Sequence, residues 1–421
     1  MDILVVGGGG REHAIIWSLT KSPNAGKIYC APGNAGIAQL AECVPIGVFE
    51  FDRLTAFAKE KAVGLVVIGP DDPLAAGIVD AFEAQDIPVF GPRRNAAEIE
   101  RSKTFMKDLL HKYNIPTAAY QKFSDYESAL EYLRVQELPI VIKADGLAAG
   151  KGVTVAYSRE EAEQALLDIM VTKVFGEAGT QVVIEEFLAG QEMSILAFVD
   201  GETVRPMAAA QDHKPVFDGD KGPNTGGMGT YSPLPHIDDA IIQEAVETII
   251  IPTAKAMVAE GRSFSGVLFA GLMISPDGKP KTIEFNARFG DPETQVVLPR
   301  LRSDLLDIFL AVVEGRLADI DIQWSDEAAV CVVLASGGYP GPYPKGVPIS
   351  GLENRQGELI FHAGTARDAD GNWITNGGRV LGIVGMGSNI AEARSAAYES
   401  AEGITFVGKQ NRTDIAAKAL V

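Results

Sequence analysis

Short apolar runs alternate with amphipathic stretches over residues 1–92. Residues 3–6, 65–68 and 88–90 read as buried strands, and residues 12–19 and 54–61 as helices. This succession predicts a parallel α/β unit whose strands run into Gly- or Pro-rich loops at residues 7–10, 32–36, 69–70 and 91–92. Ligands of open parallel sheets bind at such strand exits. A polar connector over residues 93–103 leads to an amphipathic helix at 102–113, a hairpin from 139–143 and 153–156, a helix at 159–170 and a strand at 181–186. Residues 212–235 are rich in Gly, Pro and Asp and lack periodicity, which predicts a long loop. Beyond it the pattern predicts a helix at 239–260, strands at 266–274 and 280–286, and a helix at 303–315. A last region carries strands at 329–334 and 379–384 and a helix at 390–403.

At 421 residues the chain is long enough for two to four domains of about 150 residues each. Its 37 basic against 56 acidic residues give a net charge of −19, which argues against a nucleic-acid or anionic-membrane partner. Any anionic small molecule must therefore be held locally, by a few cations, backbone amides or a metal. Apolar (46%) and charged (22%) contents are those of an ordinary globular protein, but 45 glycines exceed the usual level of roughly 7%. Cys30, Cys43 and Cys331 lack C-x-x-C spacing, which argues against a disulfide framework or thiolate zinc and fits a reducing cytoplasm. The chain opens directly on an apolar strand pattern, and no apolar run approaches the eighteen or so residues of a membrane span.

Five segments carry chemistry. The run Gly7-Gly8-Gly9-Gly10-Arg11-Glu12-His13 follows a strand and opens a helix, a natural anion site. Because Glu12 or His13 falls where a dinucleotide fingerprint has its third glycine, it reads as a phosphate or phosphoribosyl loop. Lys143 ends an apolar strand and Lys151 lies in the Gly146-to-Gly152 loop, which reads as a flap covering phosphates with two cations. Glu185 and Glu186 end another strand; alone, such a pair is more commonly a solvated acidic end. In Ile283-Glu284-Phe285-Asn286-Ala287-Arg288-Phe289, alternation puts Glu284, Asn286 and Arg288 on one strand face. A carboxylate beside an amide oxygen suits Mg²⁺, and an arginine one step on can clamp an anion. Asp212, His213 and Lys214 with Thr225-Gly226-Gly227-Met228-Gly229 occupy the expected long loop, where His213 reads equally as a base or as a structural imidazole.

Together these segments resemble the ATP-grasp ligases, and closely the phosphoribosylamine–glycine ligase family, over essentially the whole chain. The resemblance rests on residues 9–13, 31–36, 142–152, 211–214, 222–229, 288–295 and 362–365, the block from Arg288 to Gln295 being the most specific. It implies an N-terminal parallel α/β domain (1–101), an ATP-grasp domain (102–326) with a lid at about 120–190 and a central α+β part, and a small C-terminal α/β domain (327–421). It implies ATP and Mg²⁺ or Mn²⁺ as cofactors, with Lys103, Lys143, Lys151, Glu185, Glu186, Leu188 and Glu192 at ATP and Glu284 and Asn286 at the metal. Arg288, Asp212 and Lys143 would take catalytic roles. Substrates would meet Gly8, Gly9, Gly10, Asn34, Asp212, Gly226, Gly227, Met228, Arg288 and Asp291. The implied reaction of purine biosynthesis joins glycine to 5-phosphoribosylamine through glycyl phosphate, by a cytoplasmic monomer. Two departures from the family pattern stand out. Gly8 takes a place where Asn or Ser is common, and residues 268–273 lack an acidic metal ligand. A related ATP-grasp carboxylase or formate-using ligase, and a non-catalytic nucleotide-binding module, are the competing readings.

Overall fold

Every residue of the strand Ile3–Gly7 is buried, and so is every residue of Leu65–Ile68, because helices cover both faces of their sheet. The computed structural model describes residues 1–147, 152–353, 355 and 357–420. The first sheet is parallel, ordered Glu42–Cys43, Ile28–Pro32, Ile3–Gly7, Leu65–Ile68, Val89–Phe90. Strand order reverses beside Ile3–Gly7, so a crevice opens between the exits of Ile3–Gly7 and Leu65–Ile68.

Two antiparallel four-stranded sheets follow. One, ordered Tyr120–Phe123, Val182–Glu186, Ile140–Ala144, Val153–Ala156, packs the helices Tyr126–Arg134 and Arg159–Met170 around an apolar core of its own. The expected hairpin forms here, with Ile140 opposite Ala156; Lys151 and the rest of residues 148–151 lie outside the described residues. The other sheet is ordered Thr203–Pro206, Gln191–Asp200, Ser265–Ile274, Pro280–Asn286. Its last strand stops at Asn286, so Arg288 lies beyond it, although the alternation of buried and half-buried positions continues to Phe289. The expected helix at 239–260 forms in two pieces, Asp239–Ala245 and Ile251–Ala259. They are joined by a wide π turn ahead of Pro252, which lacks the amide a regular turn needs.

The expectation of a loop over residues 212–235 is corrected. Pro215–Phe217 and Lys221–Asn224 form a hairpin, and Gly229–Ser232 is a fully buried strand. That strand lies in a five-stranded antiparallel sheet ordered Gln211–Asp212, Gly229–Ser232, Ala328–Ala335, Arg379–Gly387, Leu359–His362, backed by the helix Ile390–Glu402. Its ladder partners, Ala329 to Val332, lie about a hundred positions downstream, so local periodicity carries no trace of the pairing.

Candidate active site

The strands Ile140–Ala144 and Val182–Glu186 pair with Val141 opposite Glu185, which puts Lys143 and Glu185 diagonally adjacent on one face. Lys143 Nζ lies 3.0 Å from the Glu185 carboxylate and donates to the Ile283 carbonyl at 3.1 Å. A second ammonium meets the same carboxylate: Lys107 Nζ, fully buried, is 3.0 Å from Glu185 Oε2 and 2.7 Å from Thr117 Oγ1. Burial lowers the Lys107 ammonium to about 8 against the pull of Glu185. Sequence reasoning missed Lys107. The signal available was its place one turn after Lys103 on the helix Lys103–Lys112. Lys103 itself donates to the Gly146 carbonyl at 2.9 Å, while Asp145 caps the same helix start through Thr104 and Ser102. Glu186 faces outward, accepting from the Ala119 amide at 3.0 Å and pairing with Lys281 at 3.3 Å. Leu188 follows, half-buried, in the turn before Gln191–Asp200.

Because Lys143 reaches the carbonyl of Ile283, it comes beside Glu284 of the strand Pro280–Asn286. Burial opposes ionisation of Glu284, but Lys214, Lys143 and Lys103 outweigh it and hold the carboxyl below its ordinary range. Lys214 in turn pairs with Glu192 at 2.9 Å. Asn286 Oδ1 accepts from Arg288 Nη2 at 3.2 Å, and Arg288 pairs with Glu100 at 2.9 Å. Glu100, another residue the sequence did not reveal, also accepts from the Ala287 amide at 2.7 Å; burial raises it to about 7. Asp212 and Glu293 are both pushed up by burial, and Asp212 adds to the effect on Glu293.

Glu284 and Asn286 present hard oxygens two positions apart on a strand. Among the described residues no cluster of three or more His, Cys, Asp or Glu could hold a metal, so a divalent cation here would draw most of its ligands from nucleotide oxygens and water. The donors fit Mg²⁺ or Mn²⁺ in that form.

The glycine loops meet on the other side of Arg288. Gly9 N donates to Glu12 Oε2 at 2.6 Å, and Arg11 bridges Glu12 at 2.6 Å and the Phe289 carbonyl at 3.3 Å. Gly8 has a steric reason: a Cβ there would lie 2.5 Å from the Gly33 carbonyl oxygen. A Cβ on Gly9 would stand 3.6 Å from Asp291 Oδ2, and one on Gly10 would strike Gln295 Nε2 at 2.7 Å. Gln295 donates to Asp291 Oδ1 at 2.9 Å. Asn34 donates to the carbonyls of Gly8, His362 and Ala363 and accepts from the amides of Gly36 and Ile37. Met228 has a fully buried side chain, with its amide bonded to the His213 carbonyl and its carbonyl to the Val333 amide. Both residues therefore turn their polar groups to scaffolding. His213 is likewise buried: its Nε2 accepts from the Ala416 amide at 3.2 Å, and burial lowers it to about 4, so it is neutral at pH 7.

Residues 1–100, 101–294 and 329–418 match, in that order, the N domain, ATP-grasp (A) domain and C domain of phosphoribosylglycinamide synthetase. The chain is 52% identical over 421 residues to phosphoribosylamine–glycine ligase of Halalkalibacterium halodurans, covering 100% of this chain and 97% of that one. It is 51% identical over 424 residues to the enzyme of that name from Yersinia pestis, covering 100% and 99%. The crystal structure of phosphoribosylamine–glycine ligase from Thermotoga maritima matches with a TM-score of 0.87 at 36% identity, covering 99% of this chain and 100% of that one. A biotin carboxylase from Campylobacter jejuni matches with a TM-score of 0.75 over 97% and 92% of the two chains, but at 13% identity it shares the fold alone.

Proposed function

The chain belongs to the phosphoribosylglycinamide synthetase family, and from that membership we propose that it joins glycine to 5-phosphoribosylamine with cleavage of ATP to ADP and phosphate. The observation that carries the site assignment is the bond from Lys143 Nζ to the Ile283 carbonyl. It sets phosphate-binding cations beside the Glu284 carboxylate.

In this reading ATP lies between the sheet of Lys143 and Glu185 and the strand Pro280–Asn286, its phosphates facing Lys103 and Lys143. A glycine carboxylate oxygen bonds to the γ-phosphorus as the bond to ADP breaks, giving glycyl phosphate. The amine nitrogen of phosphoribosylamine then bonds to the acyl carbon, phosphate leaves, and the nitrogen loses a proton. A divalent cation held by Glu284 and Asn286 would supply neutralisation of charge on the transferring phosphoryl group. Arg288, fixed by Glu100 and Asn286, is placed to orient an anionic group, and Lys143 to bind phosphate. The Gly10 amide stands in the first turn of a helix and suits the sugar phosphate, while the Gly9 amide is taken by Glu12. Asn34 and Met228 act through the loops they hold. Glu185 acts by fixing two lysines. The acyl phosphate is open to hydrolysis, so exclusion of water belongs to the function of the Lys143-bearing unit.

Cys30, Cys43 and Cys331 are free thiols, which supports a reducing, cytoplasmic setting; a monomer acting on small molecules completes the proposal. ATP cleavage that needs glycine and phosphoribosylamine together, and a hydroxamate trapped by hydroxylamine, are the expected results. Cleavage driven instead by bicarbonate or formate would replace this reading with a related ATP-grasp reaction.

A further inference from the structure

Arg379 begins the strand Arg379–Gly387 of the C-terminal sheet, far in sequence from every residue assigned above. Its guanidinium is half-enclosed and bonded to two separate backbone segments. Nη1 donates to the Gly226 carbonyl at 2.7 Å and to the Asp291 carbonyl at 2.9 Å, and Nη2 lies 3.3 Å from Asp291 Oδ1. Glycine at 226 eases the approach: a Cβ there would stand 3.0 Å from Arg379 Cζ, so the guanidinium would have to shift by a few tenths of an ångström. The Tyr339 hydroxyl accepts from the Gly226 amide at 3.1 Å on the same side. Gly227, at φ +115°, turns the chain directly against Pro292, where a Cβ would lie 2.5 Å from the proline Cδ. One planar fork thus fixes the Gly226–Gly227 turn and the Asp291–Pro292 turn relative to each other.

A staple that merely joined two parts of a protein would be served by one carboxylate. Here the partners are carbonyls of two turns, and Asp291, in the second of them, is after Glu12 the next group that a Cβ on Gly9 of the N-terminal glycine loop would meet, at 3.6 Å. Despite its burial, Asp291 is held below the ordinary carboxyl range by Arg379 and then Arg11, so it presents a fixed anion to the crevice. We propose that Arg379 is a positioning residue for the amine substrate, holding Asp291 and the Gly226–Gly227 turn in the geometry that receives phosphoribosylamine. The proposal rests on the ligase reading for the identity of the substrate, and on the hydrogen bonds alone for the positioning.

The test uses full-length Arg379→Gln and Arg379→Lys, with kinetics resolved by substrate and amide hydrogen exchange across residues 225–229. Arg379→Gln is expected to raise KM for phosphoribosylamine by about tenfold or more, while KM for ATP stays within about twofold. Exchange of the turn amides should rise with it. Arg379→Lys keeps the charge but not the fork, so it recovers only part of the loss; added guanidinium ion should restore part of the activity of Arg379→Gln. Unchanged exchange of the turn, or unchanged KM for the amine in both variants, overturns the proposal. So does a fall in folded protein that leaves every kinetic constant of the Arg379→Lys enzyme intact. If the parent chain shows no cleavage of ATP dependent on glycine and the amine, the ligase reading has failed; the exchange data then still decide whether Arg379 positions the turn.

Discussion

Lys107 and Lys143, one on a helix and one on a strand, converge on the single carboxylate of Glu185, each ammonium 3.0 Å from it. All three groups are nearly or wholly buried. Two cations share one counter-ion in a low-dielectric setting, so the carboxylate is what makes it possible to hold the second lysine close to the first.

Removing that counter-ion is therefore more damaging than removing either lysine. Glu185→Gln is expected to destabilise the fold by about 3–5 kcal/mol, the usual consequence of leaving a buried charge unpaired. Lys107→Met, which leaves the Glu185–Lys143 pair intact, should cost less and preserve binding of an ATP analogue. Denaturant midpoints and nucleotide titration distinguish the two variants.

Glu284 sits among Lys103, Lys143 and Lys214 with its carboxyl held ionised. Glu284→Ala should lower kcat by about a hundredfold or more at saturating Mg²⁺. The affinity for metal-free ATP should hold or rise, because an anion beside the phosphates has gone. Asn286→Ala removes a neutral donor and should be the milder change. Turnover by Glu284→Ala at the parent rate would remove this strand from the site.

His13, His213 and His362 are buried, and burial lowers them from 6.5 to about 4, 4 and 3. A neutral imidazole in the folded chain whose unfolded form takes up a proton stabilises the fold above pH 6.5, and that stability is lost as pH falls towards 4. Each such histidine contributes a slope of about 1.4 kcal/mol per pH unit in that window. Unfolding midpoints should fall steeply between neutral pH and pH 5. His362→Asn should flatten the curve, and an unchanged curve would show that His362 binds protons equally in the folded and unfolded chains.

Gly36 faces the ring of His362 so closely that a Cβ would lie 2.1 Å from the imidazole Cγ. His362 N in turn donates to His13 Nδ1 at 2.8 Å, and Asn34 Nδ2 donates to the His362 carbonyl at 2.9 Å. Gly36→Ala must displace this junction between the first sheet and the last. We expect a loss of about 1–3 kcal/mol, read as a lowered melting temperature. Gly8→Ser meets the Gly33 carbonyl instead and should behave in the same way.

Much of this was legible where the determinants are local. The strand exits of the N-terminal sheet, the hairpin ending in Lys143, and the alternation around Glu284 and Asn286 are all written in neighbouring residues. The strand Gly229–Ser232 was not, because it is defined by Val330 and Val332 across the sheet rather than by its own pattern. Glu100 and Arg379 escaped for the same reason: an acid in a polar helix and an arginine at a strand start look solvated until distant backbone arrives to bond them. Lys107 differs, since its spacing from Lys103 was visible; what the sequence hid was the Glu185 carboxylate that allows a lysine to be buried.

The pairing of Gly229–Ser232 with Ala328–Ala335 has a consequence for dissecting the protein. A fragment ending near residue 327 would keep every residue proposed to face ATP, yet its strand Gly229–Ser232 would lose one neighbour and become an unpaired sheet edge open to pairing with other copies. The same cut would discard Arg379 and Tyr339, the anchors of the Gly226 turn. Shortening the chain at its apparent domain border therefore yields a sticky, half-built catalyst, and swapping C-terminal regions between relatives requires residues 211–232 to travel with them.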